Sequence, residues 1–206
     1  MSSTASSSSG SSGTTVPPNP ADPYLLPNGS AQPVSLVYNG NTITLKGAVP
    51  TAAAGQRLAA IAESYSTTPI SNLETNFVVD PRVPTSTGVR VIDADSVRFA
   101  EGSSDITPDY APTLARVITI LKAIPALTAL VIGHSDSTGD PSSNLTLSYA
   151  RATSVVQYLV TQGIDASRLT AQGVGSANPL TQQTDAAGLA LNRRTEFIFY
   201  GLLAAT

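Results

Sequence analysis

The chain has 206 residues, 12% charged, 41% hydrophobic and 5% aromatic, with a formal net charge of −3. An average protein is about a quarter charged, so this one is unusually neutral, and it lacks the basic field that nucleic-acid binding needs. There are no cysteines and one histidine, His134. Disulfides, thiolate catalysis, cysteine zinc sites and iron–sulfur clusters are thereby excluded, and neither a metal nor a cofactor is expected. No apolar run reaches the about 18 residues of a membrane helix. Met1 opens directly into serines, with no export signal legible, so any membrane attachment is expected through a segment outside this sequence.

Residues 1–33 are low in complexity: serine, glycine, threonine and alanine to Thr15, then Pro17, Pro18, Pro20, Pro23, Pro27 and Pro33. Such a composition cannot bury enough apolar surface to offset chain entropy. A tether is expected, floppy where Gly/Ser-rich and stiffer where Pro-rich. Residues 34–80 read as a small β-β-α-β module. Asn39-Gly40 tolerates the positive φ angles of a tight hairpin turn between residues 34–38 and 41–47. Ile43 and Leu45 alternate with Thr42, Thr44 and Lys46, the period of a half-buried strand. Pro50-Thr51 opens an alanine-rich helix to about Ser64, with Leu58, Ile61 and Ala62 on its apolar stripe. Residues 71–79 form the closing strand. Residues 43–49 (I-T-L-K-G-A-V) and 76–79 (N-F-V-V) resemble a shortened BON module whose usual first helix is replaced by the Pro-rich stretch.

Residues 81–88 hold Pro81, Pro84 and Gly88 and read as a linker. Beyond it, Val89, Val91, Val97 and Phe99 mark an extended segment. Thr107-Pro108 predicts a helix start, with threonine as cap and proline at the first helical position. That helix runs to about Ala123, before Pro125. Residues 127–132 are a continuous apolar run, as in a strand covered on both faces. Residues 141–163 read as a second helix, 169–174 as a strand, 178–188 as a loop and 194–200 as a last strand. The pattern β-α-β-α-β-(α)-β predicts a mixed α/β (α+β) sheet with helices packed on it, over residues 89–203.

The chemistry concentrates in residues 132–152. Asp136 follows a buried strand in a Gly/Ser loop, where ligands of α/β sheets bind. Arg151 shares a helix face with Leu147 and Asn144, its i−4 and i−7 neighbours. Asn144 stands near the helix start, whose free amides favour an anion. One face therefore offers an anion site from Arg151, Asn144 and backbone amides beside the Asp136 carboxylate, which a ligand carrying both an ammonium and a carboxylate would match. Direct pairing of Asp136 with Arg151 is the structural alternative. Phe99 either walls this pocket or sits in the core. Arg193 is the better ligand-proximal candidate of the Asn192-Arg193-Arg194 run, the alternative being an arginine paired with Asp93 or Glu196. His134, Ser135 and Asp136 are adjacent, point to opposite faces of a strand and cannot form a catalytic triad.

Residues 132–139 (I-G-H-S-D-S-T-G) and 144–152 (N-L-T-L-S-Y-A-R-A) match the pattern G-H-T-D-x-x-G…N-x-x-L-S-x-x-R-A, with Ser135 for threonine the only core departure. Phe99, residues 163–169, Gly173-Val174-Gly175 with Pro179, and residues 192–196 (N-R-R-T-E) follow in order. Residues 89–203 thus resemble the OmpA C-terminal-like domain. The resemblance implies non-catalytic binding of peptidoglycan by an envelope protein in the periplasm or cell-wall space. It also implies roles at the site, with Asp136 taking the ammonium and Arg151 the carboxylate of diaminopimelate in the stem peptide. Arginine suits this because its planar fork meets a carboxylate at two points. Rival readings are a cell-wall hydrolase and an envelope assembly module without a ligand.

Overall fold

The computed structural model describes residues 34–39, 41–64, 69–93 and 96–204. The expected tether, and Gly40 of the expected hairpin turn, lie outside them. Strands β1 (Ser35–Asn39) and β2 (Thr42–Val49) pair antiparallel, Leu36 opposite Leu45, and Leu36, Tyr38, Ile43 and Leu45 are buried. Helix α1 (Ala52–Ser64) starts where the Thr51 hydroxyl accepts from the Ala54 amide at 3.1 Å. Its Ala54, Leu58 and Ala62 are buried. Strand β3 (Asn72–Val79) returns parallel to β2.

The connecting residues 81–88 carry no helix or strand and bury Val83. Strand β4 (Val89–Asp93) follows. The expected start of the next helix is more gradual than the sequence suggests. Residues Pro108–Tyr110 form one 3-10 turn before α2 (Ala111–Ala123), and the Thr107 side chain makes no capping bond. Proline at the first helical position fixes the entry by itself. Helix α2 ends under the Arg168 guanidinium, which donates to the carbonyls of Leu121, Ile124 and Leu127. Strand β5 (Thr128–Gly133), helix α3 (Pro141–Thr161), strand β6 (Leu169–Gly173), short helix α4 (Ala186–Asn192) and strand β7 (Thr195–Tyr200) complete the order.

The seven strands of the described residues form one mixed sheet in the order β3-β2-β1-β4-β7-β5-β6. The units β2-α1-β3 and β5-α3-β6 place parallel strands side by side. Between β4 and β5 the last strand β7 is inserted, antiparallel to both. The parallel β1–β4 pairing, with Leu36 opposite Val91, carries the sheet across the segment read as a linker. One buried cluster includes Tyr38 and Leu58 together with Val131, Val155 and Phe199. Tyr38 ties its parts together: its hydroxyl donates to the Ala62 carbonyl of α1, and its ring lies 4.9 Å below the Arg116 guanidinium of α2.

Candidate functional site

Two glycines set the position of α3. A Cβ on Gly133 would lie 1.9 Å from the Ser148 carbonyl oxygen, and one on Gly173 2.4 Å from the Tyr149 amide. Bare backbone at the ends of β5 and β6 lets the helix lie directly on the strands. The Ser148 hydroxyl then accepts from the Gly175 amide at 2.8 Å, and the Ser135 amide donates to the Gly175 carbonyl. The loop leaving β5 is thus held between the start of α3, the exit of β6 and the entry of β7.

Asp136 stands in this loop with its side chain 7% exposed. Its Oδ1 accepts from the Thr138 amide at 3.0 Å and the Thr138 hydroxyl at 2.5 Å, and its Oδ2 accepts from Arg193 Nη1 at 2.9 Å. Burial pushes its carboxyl up, but the bonds from Thr138 and Arg193 outweigh burial and hold it below the usual value. Asn144 donates to the Thr138 carbonyl at 2.8 Å, closing the turn that carries Thr138. Thr138, which holds the Asp136 carboxylate through two bonds, is not singled out by the sequence. Its spacing of two from an aspartate is the signal of a side chain bonded to its own loop.

Arg151 is wholly buried. Its Nε donates to Ser103, its Nη1 to His134 and its Nη2 to Ala100, all backbone carbonyls at 2.9–3.0 Å. The Phe99 ring lies 5.2 Å from the guanidinium centre, so Phe99 is core-like by burial and also backs the site. Burial above all, then the nearby Arg193, lower the Arg151 guanidinium to about 10, with Asp136 opposing. No direct ion pair joins Asp136 and Arg151 among the described residues; Arg193 takes the carboxylate instead. Arg193 also donates from Nε to the Phe99 carbonyl at 3.1 Å. Leu147 is half-buried on α3, one turn before Arg151.

The backbone-amide part of the expected anion site differs. The Asp140 side chain caps α3 by accepting from the Ser143 amide at 3.0 Å, so that carboxylate sits where an anion was expected. The positive charge of the site comes from side chains: two guanidiniums, Arg151 and Arg193, stand near the single carboxylate of Asp136, and Arg193 alone pairs with it.

Behind the site lies a second ionic group. Glu196 receives Arg90 through two bonds of 2.8 Å, and Arg194 through Nε at 2.8 Å and Nη2 at 2.6 Å. The His134 Nε2 lies 3.8 Å from Glu196. Arg194 is therefore the glutamate-paired arginine and Arg193 the one at Asp136, as neighbours on an extended chain point oppositely. Asn192 holds the β6–α4 loop by accepting from the Leu180 and Thr181 amides. No cluster of three or more metal-ligating side chains is present among the described residues.

Residues 98–193 match the OmpA family. The probable lipoprotein YiaD of Escherichia coli (strain K12) is 45% identical over 102 residues, 50% of this chain and 47% of that protein. The peptidoglycan-binding protein ArfA of Mycobacterium tuberculosis (strain ATCC 25618 / H37Rv) is 27% identical over 189 residues, 86% of this chain and 57% of that protein. The chain thus spans about half the length of these curated relatives. Among solved structures, the peptidoglycan-associated lipoprotein from Burkholderia pseudomallei is similar with a TM-score of 0.49 and 29% identity, over 50% of this chain and 88% of that one. The matched span contains Phe99, Asp136, Asn144, Leu147, Arg151 and Arg193, and residues 98–193 form an OmpA family domain.

Proposed function

We propose that the OmpA family domain binds peptidoglycan without catalysis, through the diaminopimelate centre of its stem peptide, and so anchors an envelope protein to the cell wall. The observation that carries this is the charge arrangement at one loop. Asp136 is held ionised by Thr138 and Arg193, ready for an ammonium, and the two guanidiniums beside it leave one positive charge for a carboxylate. The relative named for peptidoglycan binding aligns with 86% of this chain, which supports the reading beyond the 98–193 span. Residues 34–80 are read as a BON-like module carried alongside. Their β1-β2-α1-β3 order agrees with that likeness. No helix among the described residues is long and apolar enough to cross a membrane. The cell envelope is the proposed location, by analogy with the lipoprotein relative.

Cosedimentation with purified insoluble peptidoglycan tests the proposal. The protein should pellet with the polymer, and Asp136→Asn should weaken binding roughly tenfold or more, the value of one charge-assisted bond of about 1.5–3 kcal/mol. Protein left in the supernatant, or a variant that pellets like the parent, would overturn the binding assignment. Release of soluble fragments from the polymer would overturn its non-catalytic part in favour of a hydrolase.

A further inference from the structure

The two edges of the sheet are not alike. At one, β6 is five residues long and ends at Gly173, a short edge that offers little to another strand. At the other, β3 runs for eight residues in unbroken parallel register with β2, from Asn72 opposite Thr42 to Val79 opposite Val49. Among the described residues β3 pairs with β2 alone. Proteins guard a long edge with lysine, proline or a bulge. Residues 72–79 (N-L-E-T-N-F-V-V) contain neither lysine nor proline, and their register carries no bulge. Val78 and Val79 are 67% and 46% exposed there.

The backbone of β3 defines what fits it. The Asn72 and Asp80 amides donate to the Asn41 and Val49 carbonyls. Bonded residues alternate along a parallel ladder, so the amides and carbonyls of Leu73, Thr75, Phe77 and Val79 point away from β2. They form a row of donors and acceptors that an added strand satisfies. The side chains choose the strand, because β3 is complementary to itself when run antiparallel about Thr75. Thr75 then faces the partner's Thr75, Leu73 faces the partner's Phe77, and Glu74 faces the partner's Asn76. Leu73 and Phe77 are both half-buried and share the face under α1, where the Phe77 ring lies against Gly55. Pairing completes their burial. Glu74, the one charge on the strand, meets a neutral amide instead of its own copy, and like charges directly opposed would be destabilising.

We propose that β3 is a self-association edge, on which two copies of this chain pair antiparallel about Thr75 and join their sheets into one. The loop carrying Asp136 lies toward the far end of the strand order, beside β5, β6 and β7, so pairing leaves it open in both copies. At about 4.8 Å per strand the two loops are on the order of 50 Å apart. The dimer therefore grips a wall polymer at two points. The pairing stands on the edge alone, whereas the two-point grip rests on the peptidoglycan reading.

Light scattering on the full chain, coupled to size exclusion and repeated over a dilution series, tests the pairing. The mass should be twice 21.1 kDa at high concentration and fall to the single-chain value on dilution. Thr75 is exposed, and Thr75→Lys sets two ammonium groups face to face on the two-fold axis. That variant should run as a single chain throughout, with the circular dichroism spectrum of the parent. The chain has no cysteine, so Thr75→Cys carries one thiol. Bonded partners on antiparallel strands lie about 5.5 Å apart at Cα, within disulfide reach. Mild oxidation should link Thr75→Cys into a covalent dimer about tenfold or more faster than Gln157→Cys, on the exposed side of α3. A parent that stays a single chain at every concentration would overturn the proposal, and so would a dimeric Thr75→Lys or equal rates of linkage. For the two-point grip, the parent should pellet with peptidoglycan about tenfold or more tightly than Thr75→Lys, while both bind a free stem peptide alike. Equal pelleting would overturn the grip and leave the dimer standing. A dimer that binds neither polymer nor peptide would instead overturn the peptidoglycan reading, and the grip with it.

Discussion

Arg151 shows how a residue legible in the sequence acquires its meaning from partners that are not. Its spacing from Asn144 and its place after Asp136 single it out, but its three acceptors are backbone carbonyls, which carry no residue signature. Removing it therefore does more than remove a ligand contact. Arg151→Ala should lower folding stability by about 3 kcal/mol, since the buried His134 carbonyl and the half-buried Ser103 carbonyl lose their donor at about 1–3 kcal/mol each, while the Ala100 carbonyl keeps the Ser103 amide. Lysine should not restore it, because one ammonium cannot serve three diverging acceptors. Urea denaturation measures this, and unchanged stability would mean that loop 100–103 is held by other contacts. Asp136→Asn is the cleaner probe of binding for that reason. His134 gives a second test at this scale. Burial first, then Arg194, hold its imidazole down to about 3, against a usual 6.5, with Glu196 opposing. The unfolded chain takes up a proton below pH 6.5 that the folded chain refuses. Stability from the neutral imidazole is complete above that pH and is lost as pH falls toward 3, at up to about 1.4 kcal/mol per pH unit. Glu196, held at about 2 against a usual 4.5, adds to the loss only below pH 4.5. His134 is the chain's single histidine, so the slope between pH 6.5 and 5 should disappear in His134→Asn. Denaturation midpoints through that range decide it, and a persisting slope would refute the assignment.

At the scale of elements the sequence is legible where periodicity and punctuation agree. The Thr51 cap, the apolar run before Gly133 and the Pro141 entry mark α1, β5 and α3 within a residue or two. The start of α2 was less legible, because Pro108 supports a 3-10 turn as readily as the first turn of an α-helix. The close seating of α3 has a signal visible only in retrospect. Gly133 and Gly173 are directly opposite in the parallel β5–β6 register; both lie under Ser148 of α3, Gly133 also against Ala152 and Gly173 against Tyr149. Two glycines at the ends of neighbouring strands make a notch for a helix backbone. That notch places Asn144 and Arg151 over the loop containing Asp136. The site thus depends on packing at the strand ends as much as on its own side chains. The division of roles between Arg193 and Arg194 has a similar origin. Alternation at the entry to β7 requires the two to diverge and puts Arg194 on the side of Glu196, but only the sheet order, with β7 beside β4, brings Arg90 to the same glutamate.

At the scale of the molecule, local pattern is blind to pairing between distant strands. Residues 34–80 and 89–203 read as separate modules because each contains a complete set of elements and a Pro-rich break divides them. The β1–β4 register joins them in one sheet, and Tyr38 is bonded to α1 while lying under Arg116 of α2. The loop carrying Asp136 lies elsewhere, between β5, β6 and β7, on elements that pair without β1, β2 or β3. These two facts separate stability from function. A fragment beginning at Gly88 should still fold and pellet with peptidoglycan, because every bond to Asp136, Arg151 and Arg193 comes from residues after Phe99 or from Phe99 itself. It should nevertheless be less stable than the full chain, because β4 loses its partner β1 and the core loses Leu36, Tyr38 and Val83. At roughly 1.5–3 kcal/mol for each fully buried large apolar side chain, the loss should be several kcal/mol, offset in part by the shorter chain that remains to be ordered. Thermal melts of fragment and full chain, read beside cosedimentation, test both halves. Equal melting of the two would mean that the shared sheet contributes nothing and the halves fold independently. A folded fragment that no longer binds would move the peptidoglycan contact to the first module.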